Sequence, residues 1–153
     1  MPRPLTNAER EAFLAEPHVA VLAIPRGDRP PHTTPVWYHH RPGGNVTFFT
    51  GTQGRKSRKA DLIEQAGVVS LCVQQETFPY KYVTVEGTIV QIDRPPTSEQ
   101  VLAIVRRYLP EEQAQGFVSA ELDNPSGEFV LYSVRPDHWH SLDFSDLAST
   151  SAT

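Results

Sequence analysis

The apolar residues of this chain fall mostly in short β-branched or alternating runs rather than long helical stripes. His18–Ile24 (HVAVLAI), Asn45–Thr50 (NVTFFT) and Val68–Gln74 (VVSLCVQ) each have the length and residue types of a strand. Thr33–His40 (TTPVWYHH) reads as another, with Pro35 marking it as an edge or bulged strand. In Tyr82–Ile92 the period is two: Val83, Val85, Gly87 and Ile89 share one face, and Tyr82, Thr84, Glu86 and Thr88 the other. Phe129–Val134 and His138–Phe144 complete a set of about seven strands. Short turns at Arg26–Arg29 and Pro42–Gly44 predict that the first three strands form an antiparallel meander.

Helical spacing occurs in only a few places. Residues 6–16 begin with Thr6 and carry Glu9 three positions on, the pattern of a capping box. Residues 56–65 end at Gly67, which suits a C-terminal cap. Residues 97–108 start after Pro95-Pro96 and place Val101, Leu102, Val105 and Leu109 on one stripe. Residues 111–122 read as a further short helix. Strands and helices do not alternate, which argues against a doubly wound parallel sheet. Many short antiparallel strands with three or four short helices predict a mainly β protein closed as a barrel.

Composition narrows the picture further. With 153 residues and 39% hydrophobic content, the chain suits a single domain with one core. Residues 1–145 are expected to form it, and 146–153 to be a disordered tail. A formal charge of −4 argues against nucleic acid as partner. No apolar run is long enough to span a membrane, and the N-terminus lacks a signal-peptide h-region. One cysteine, Cys72, rules out an internal disulfide and reads as a small buried hydrophobe. The expectation is a cytoplasmic protein. The 14 prolines sit largely at segment edges, where a missing donor does least harm.

Three stretches carry candidate chemistry. In Thr50-Gly51-Thr52-Gln53-Gly54-Arg55-Lys56-Ser57-Arg58-Lys59, four cations crowd the start of a predicted helix. The positive end of the helix dipole disfavours cations there unless an anion neutralises them. A phosphate is the natural anion, held bidentately by arginine or as a point charge by lysine; a solvated basic face is the plainer alternative. Thr33-Thr34-Pro35-Val36-Trp37-Tyr38 offers backbone groups that cannot all join a ladder, next to aromatic surface. Phe78-Pro79-Tyr80-Lys81-Tyr82 sets aromatics beside a lysine and suits a planar anion or a subunit interface. His138 and His140 share a strand face but lack further ligands for a metal site. No nucleophile motif is present.

Taken together, TTPVWY, TGTQGRKSRKADLIEQAG and PYKYVTVEGTI resemble the pyridoxamine 5′-phosphate oxidase-like split β-barrel superfamily. Within it they look most like the flavin- and deazaflavin-dependent oxidoreductases. The resemblance covers roughly residues 10–140. It implies an antiparallel, FMN-binding-like split β-barrel and a homodimer with cofactor sites at the subunit interface. Thr34, Pro35 and Val36 would lie against the ring system, Thr50 and Gly51 would run along the ribityl chain, and Arg55 and Lys56 would hold the phosphate. The other subunit would contribute Tyr80, Tyr82 and the strand carrying Trp139. No catalytic side chain is expected, because such a cofactor itself carries the hydride. Four cations exceed the need of one phosphate, which favours coenzyme F420, with its phosphate and polyglutamate tail, over FMN. The expected activity is hydride transfer from reduced F420 to an unsaturated small organic substrate. An FMN-dependent oxidoreductase, or a non-catalytic flavin- or haem-binding module, is the alternative. The chain departs from many relatives in having Arg58-Lys59-Ala60-Asp61-Leu62 and Ala66-Gly67-Val68 where they carry Arg-Asn-Leu and Asp-Pro-Arg.

Overall fold

The computed structural model describes residues 1–51, 58–123 and 129–147. Four helices and seven strands occur among them: α1 (Asn7–Ala15), β1 (Ala20–Arg26), β2 (Arg29–Val36), β3 (Tyr38–His40), β4 (Val46–Thr50), α2 (Arg58–Ala66), β5 (Val68–Gln75), β6 (Lys81–Asp93), α3 (Ser98–Val105), α4 (Glu111–Leu122) and β7 (Val130–Asp143). The strands form one antiparallel sheet in the order β2-β1-β5-β6-β7-β4-β3. Its two edges, β2 and β3, are separated in sequence by Trp37 alone, so the sheet closes on itself. This is the predicted split barrel.

The barrel is filled by inward residues of nearly every strand, among them Leu22, Ile24, Tyr38, Phe48, Leu71, Val83, Val85 and Tyr132. Burial alternates along β1, β4 and β5 as a two-residue period requires. Phe13 and Leu14 of α1 and Ala60 and Ile63 of α2 join the same core. The capping box of α1 forms as the sequence predicts. Glu9 N–H donates to Thr6 Oγ1 (3.2 Å) and Thr6 N–H to Glu9 Oε1 (2.9 Å). Thr97 and Gln100 repeat the device at α3. Gly67 ends α2 at φ +70°, a left-handed conformation that a side chain disfavours.

Three expectations need correction. The run 33–40 is not one strand. It breaks at Trp37, so β2 pairs with β1 while β3 pairs with β4. The first strands are therefore two separate hairpins on opposite edges of the sheet, not a meander. Conversely, 129–134 and 138–144 belong to one strand, β7. Opposite the Glu86–Gly87 step of β6, one extra residue of β7, Asp137, bulges and carries the ladder past Pro136. At that bulge the backbone comes close: a Cβ on Gly87 would lie 2.4 Å from Val134 Cγ1 and 2.5 Å from the Arg135 carbonyl oxygen. Finally, Cys72 is not in the core. Leu71 and Val73 point inward, leaving Cys72 half-exposed on the outer face.

A second apolar cluster lies outside the barrel. Val101, Leu102 and Val105 of α3, Ala114 and Val118 of α4, and Phe129 pack with Trp37, Phe49, Leu109, Phe117 and Leu122. Trp37 and Phe49 supply its sheet side. The helical pair α3–α4 is thus fastened to the outside of the barrel, beside the point where the sheet closes.

Candidate functional site

At the closure point the chain bends out of β2 at Trp37 and leaves a cleft of about 380 Å³. Its lining comprises Val19, Pro35, Val36, Trp37, Phe49, Thr50, Gly51 and Lys59. Trp37 is fixed from behind. Its ring stacks on Tyr108 at 5.0 Å between centroids and 7° between planes, and meets Phe49 edge-on at 6.4 Å. Tyr108 in turn donates its hydroxyl to the His18 carbonyl (2.7 Å) and accepts from Tyr38 N–H (3.2 Å). Burial pushes this hydroxyl above its ordinary pKa, so it remains a proton donor. Phe129 packs on Phe49 at 4.9 Å. One side of the cleft is thereby flat, aromatic and rigid, the surface a planar heterocycle needs.

Thr50 is buried, and its Oγ1 has no hydrogen-bond partner. A buried hydroxyl without a partner costs free energy, and a bound polar ligand would relieve it. On the opposite side stands Lys59, in the first turn of α2. Beside it Arg58 joins Arg26 and Arg29 of the β1–β2 hairpin around an adjacent hollow of about 500 Å³. Among the described residues, none of these four cations has a carboxylate partner. Their closeness registers on His32. Burial, then Arg26, Lys59 and Arg58, hold its imidazole below the ordinary value, and its Nε2 is buried without a partner. Arg26 is itself lowered by burial and by Arg29 and Arg58. The chain thus gathers unneutralised positive charge at one end of an apolar cleft, although its net charge is negative. Flat wall, orphaned hydroxyl and unpaired cations fit a planar cofactor with an anionic arm.

The predicted site residues divide into three groups. Pro35, Val36, Thr50 and Gly51 come together in the cleft, with Thr34 next to them on β2. Tyr80, Tyr82 and Trp139 do not line it. Tyr80 is half-exposed before β6, its ring edge-on to Phe78 at 5.5 Å, and Tyr82 lies on the outer side of β6. Trp139 pairs in register with Val85 and packs on the barrel core from the opposite face, under the Arg10 guanidinium at 4.2 Å. Arg55 and Lys56 lie outside the described residues.

Sequence reasoning missed Arg26, Arg29 and His32, because Arg26–Arg29 registers in sequence only as a turn. It also left Trp37, Phe49 and Lys59 out of the site, although all three fall within the stretches or strands it marked. No group of His, Cys, Asp and Glu suited to a metal occurs among the described residues. No helix among them is long and apolar enough to cross a membrane.

Comparison with known proteins places this geometry. A family model described as pyridoxamine 5′-phosphate oxidase matches residues 6–143. No curated protein matches the chain. Several solved structures share its fold. An F420 reductase is 26% identical, with a TM-score of 0.64 over 85% of this chain and 94% of that one. A FAD-binding protein from Mesorhizobium loti is 18% identical, with a TM-score of 0.61 over 94% and 96% of the two chains. A conserved hypothetical protein from Mycobacterium tuberculosis is 21% identical, with a TM-score of 0.69 over 94% and 88%. The latter two bear on the fold alone.

Proposed function

The chain belongs to the pyridoxamine 5′-phosphate oxidase family, and from that premise we propose that it is a cofactor-dependent oxidoreductase. In this reading it binds coenzyme F420 and passes hydride to an unsaturated small organic substrate. The observation that carries the reading is the cleft itself, apolar and aromatic on one side and ending in cations that no carboxylate neutralises. The likeness to an F420 reductase supports the same choice.

The reduced deazaflavin supplies the hydride when bound. The chain's own residues orient and shield it. Pro35, Trp37 and Phe49 present a surface that excludes water from one side of the ring. The Thr50 hydroxyl gives a hydrogen-bonding group to the polar chain that leaves the ring. Lys59 and Arg58, with Arg55 and Lys56 just before them in sequence, hold the phosphate, and Arg26 and Arg29 extend the basic band toward a longer anionic tail. FMN, with one phosphate and no tail, leaves part of that band unused.

A second copy of the chain completes the site in this proposal. The outer face beside the cleft leaves Val19, Val21 and Val68 substantially exposed. Pro35, Val21, Cys72 and Thr84 form one cross-strand row on that face, with Tyr82 two residues along from Thr84. A dimer covering this surface brings the partner's aromatic segment toward the open side of the cleft. Light scattering at micromolar concentration is expected to give a dimer; a monomer removes the shared site.

The cofactor assignment is tested by titrating oxidised F420 and FMN by fluorescence at equal salt. F420 is expected to bind more tightly. Equal or tighter binding of FMN moves the protein to the FMN-dependent alternative, and tight binding without turnover of any unsaturated substrate makes it a non-catalytic carrier.

A further inference from the structure

A second hollow, of about 410 Å³, lies on the outside of the barrel along β3 and β4 from the cofactor cleft, and its chemistry is different. The strand register builds it. His39 pairs with Thr47, Thr47 with Ser133, and Ser133 with Gln91, so four polar side chains stand in one row across β3, β4, β7 and β6. Adjacent strands are about 4.8 Å apart, which makes the row roughly 14 Å long. Alternation sets its direction. Tyr132 and Val134 face the barrel core, so Ser133 between them faces outward into the hollow. Ser133 is only 7% exposed, and its hydroxyl lies at the floor of the hollow it lines.

The charges around the row are one-sided. Arg41 lines the hollow and has no carboxylate partner among the described residues. No carboxylate lines it. The nearby Asp93 is occupied by the amides of Gln91 (3.0 and 3.2 Å) and Gln100 (3.1 Å). His39 is held below its ordinary pKa by burial, Arg107, His40 and Arg41, so at neutral pH its ring offers one donor and one acceptor.

We propose that this hollow binds a small polyhydroxylated anion, with its charged head on Arg41 and its hydroxyls along the row from His39 to Gln91. A row of neutral donors and acceptors matches a run of hydroxyl groups, and one unpaired guanidinium matches one anionic head. A carboxylate head and a phosphate head are the two forms this chemistry allows.

Calorimetric titration of the full-length protein with gluconate, glucose 6-phosphate, sorbitol and propionate tests the proposal. Gluconate or glucose 6-phosphate is expected to bind with a dissociation constant of about 1 mM or tighter, ahead of sorbitol, which has no charge, and propionate, which has no hydroxyls. Which of the two binds better identifies the head. Arg41→Ala is expected to weaken that binding about tenfold or more, and Ser133→Ala by roughly two- to tenfold, each with an unchanged melting temperature without ligand. Lys59→Ala, in the cofactor cleft, is expected to leave it unchanged, which separates this site from the cofactor site. No preference for the hydroxylated anions, or equal binding by both hollow variants and wild type, overturns the proposal.

Discussion

The molecule has two apolar cores, and they serve different ends. The core inside the barrel is mostly aliphatic, drawn from nearly every strand, and sealed from solvent. The core outside is richer in aromatic rings, drawn from Trp37, Phe49, Phe129 and the α3–α4 pair, and partly open. The inner core holds the sheet closed. The outer core supplies the wall of the cleft, because Trp37 and Phe49 belong to both. Damage to the first should therefore appear chiefly as lost stability, and damage to the second as lost binding beside a smaller loss of stability.

The sharpest way to break the inner core is at Gly87, where β7 leaves no room for a Cβ. Gly87→Ala is expected to destabilise the protein by about 3 kcal/mol, read from the midpoint of urea unfolding. A loss near zero would mean that the bulge relaxes and that the barrel is not tightly packed there. For the outer core the matching change is Phe117→Ala, which removes a ring 5.9 Å from Trp37 and 6.0 Å from Phe49. A half-buried aromatic should cost about 2 kcal/mol, and cofactor affinity should fall with it. If affinity holds while stability drops, the outer core is support for the fold only, and the contrast between the cores fails.

Smaller effects sharpen the contrast at the charged end of the cleft. Lys59→Ala should weaken binding of the anionic cofactor about tenfold without destabilising the free protein, since the lysine stands near the positive end of α2. Unchanged affinity, measured by fluorescence titration, would leave the basic band as a solvated surface. His32 gives the smallest effect, and its sign can be worked out. Its imidazole lies below the ordinary 6.5 because burial and three cations oppose protonation. Without ligand, the unfolded chain binds more protons as pH falls below 6.5, so the free protein loses stability on that side. A bound anion offsets the cations and lets His32 take up a proton, so binding should tighten a few-fold as pH falls through that region. Measuring the difference between wild type and His32→Gln across pH cancels any titration of the ligand. Parallel pH profiles would mean that His32 does not sense the ligand.

How legible each core was in the sequence follows from how local its signals are. The apolar strand at residues 20–24, the alternation in 82–87, the Thr6–Glu9 box and Gly67 are set by neighbours in the chain, and all appear in the structure where the sequence puts them. The break at Trp37 was not legible, because either half of TTPVWYHH is a good strand and only the closing of the sheet separates them. The unity of β7 was hidden for the opposite reason. Pro136 reads as a terminator, and the bulge beside it at Asp137, which lets the ladder continue, is defined only by the pairing with Glu86 and Gly87 on another strand. At the site, the aromatic and basic stretches were legible as chemistry. That the β1–β2 turn carries two more arginines to the same place depends on tertiary packing, which no local pattern records.

The closure of the sheet also bears on how the protein survives at high concentration. An edge strand normally invites other chains to add to it, since its outward amides and carbonyls form a ready template. Here β2 is such an edge, and Pro30, Pro31 and Pro35 remove three of its amides. A foreign strand laid along β2 would find too few donors to hold it. The prolines that made this segment hard to read as a strand therefore make it a poor seed for aggregation, and they leave the neighbouring cleft open to small molecules rather than to stray polypeptide.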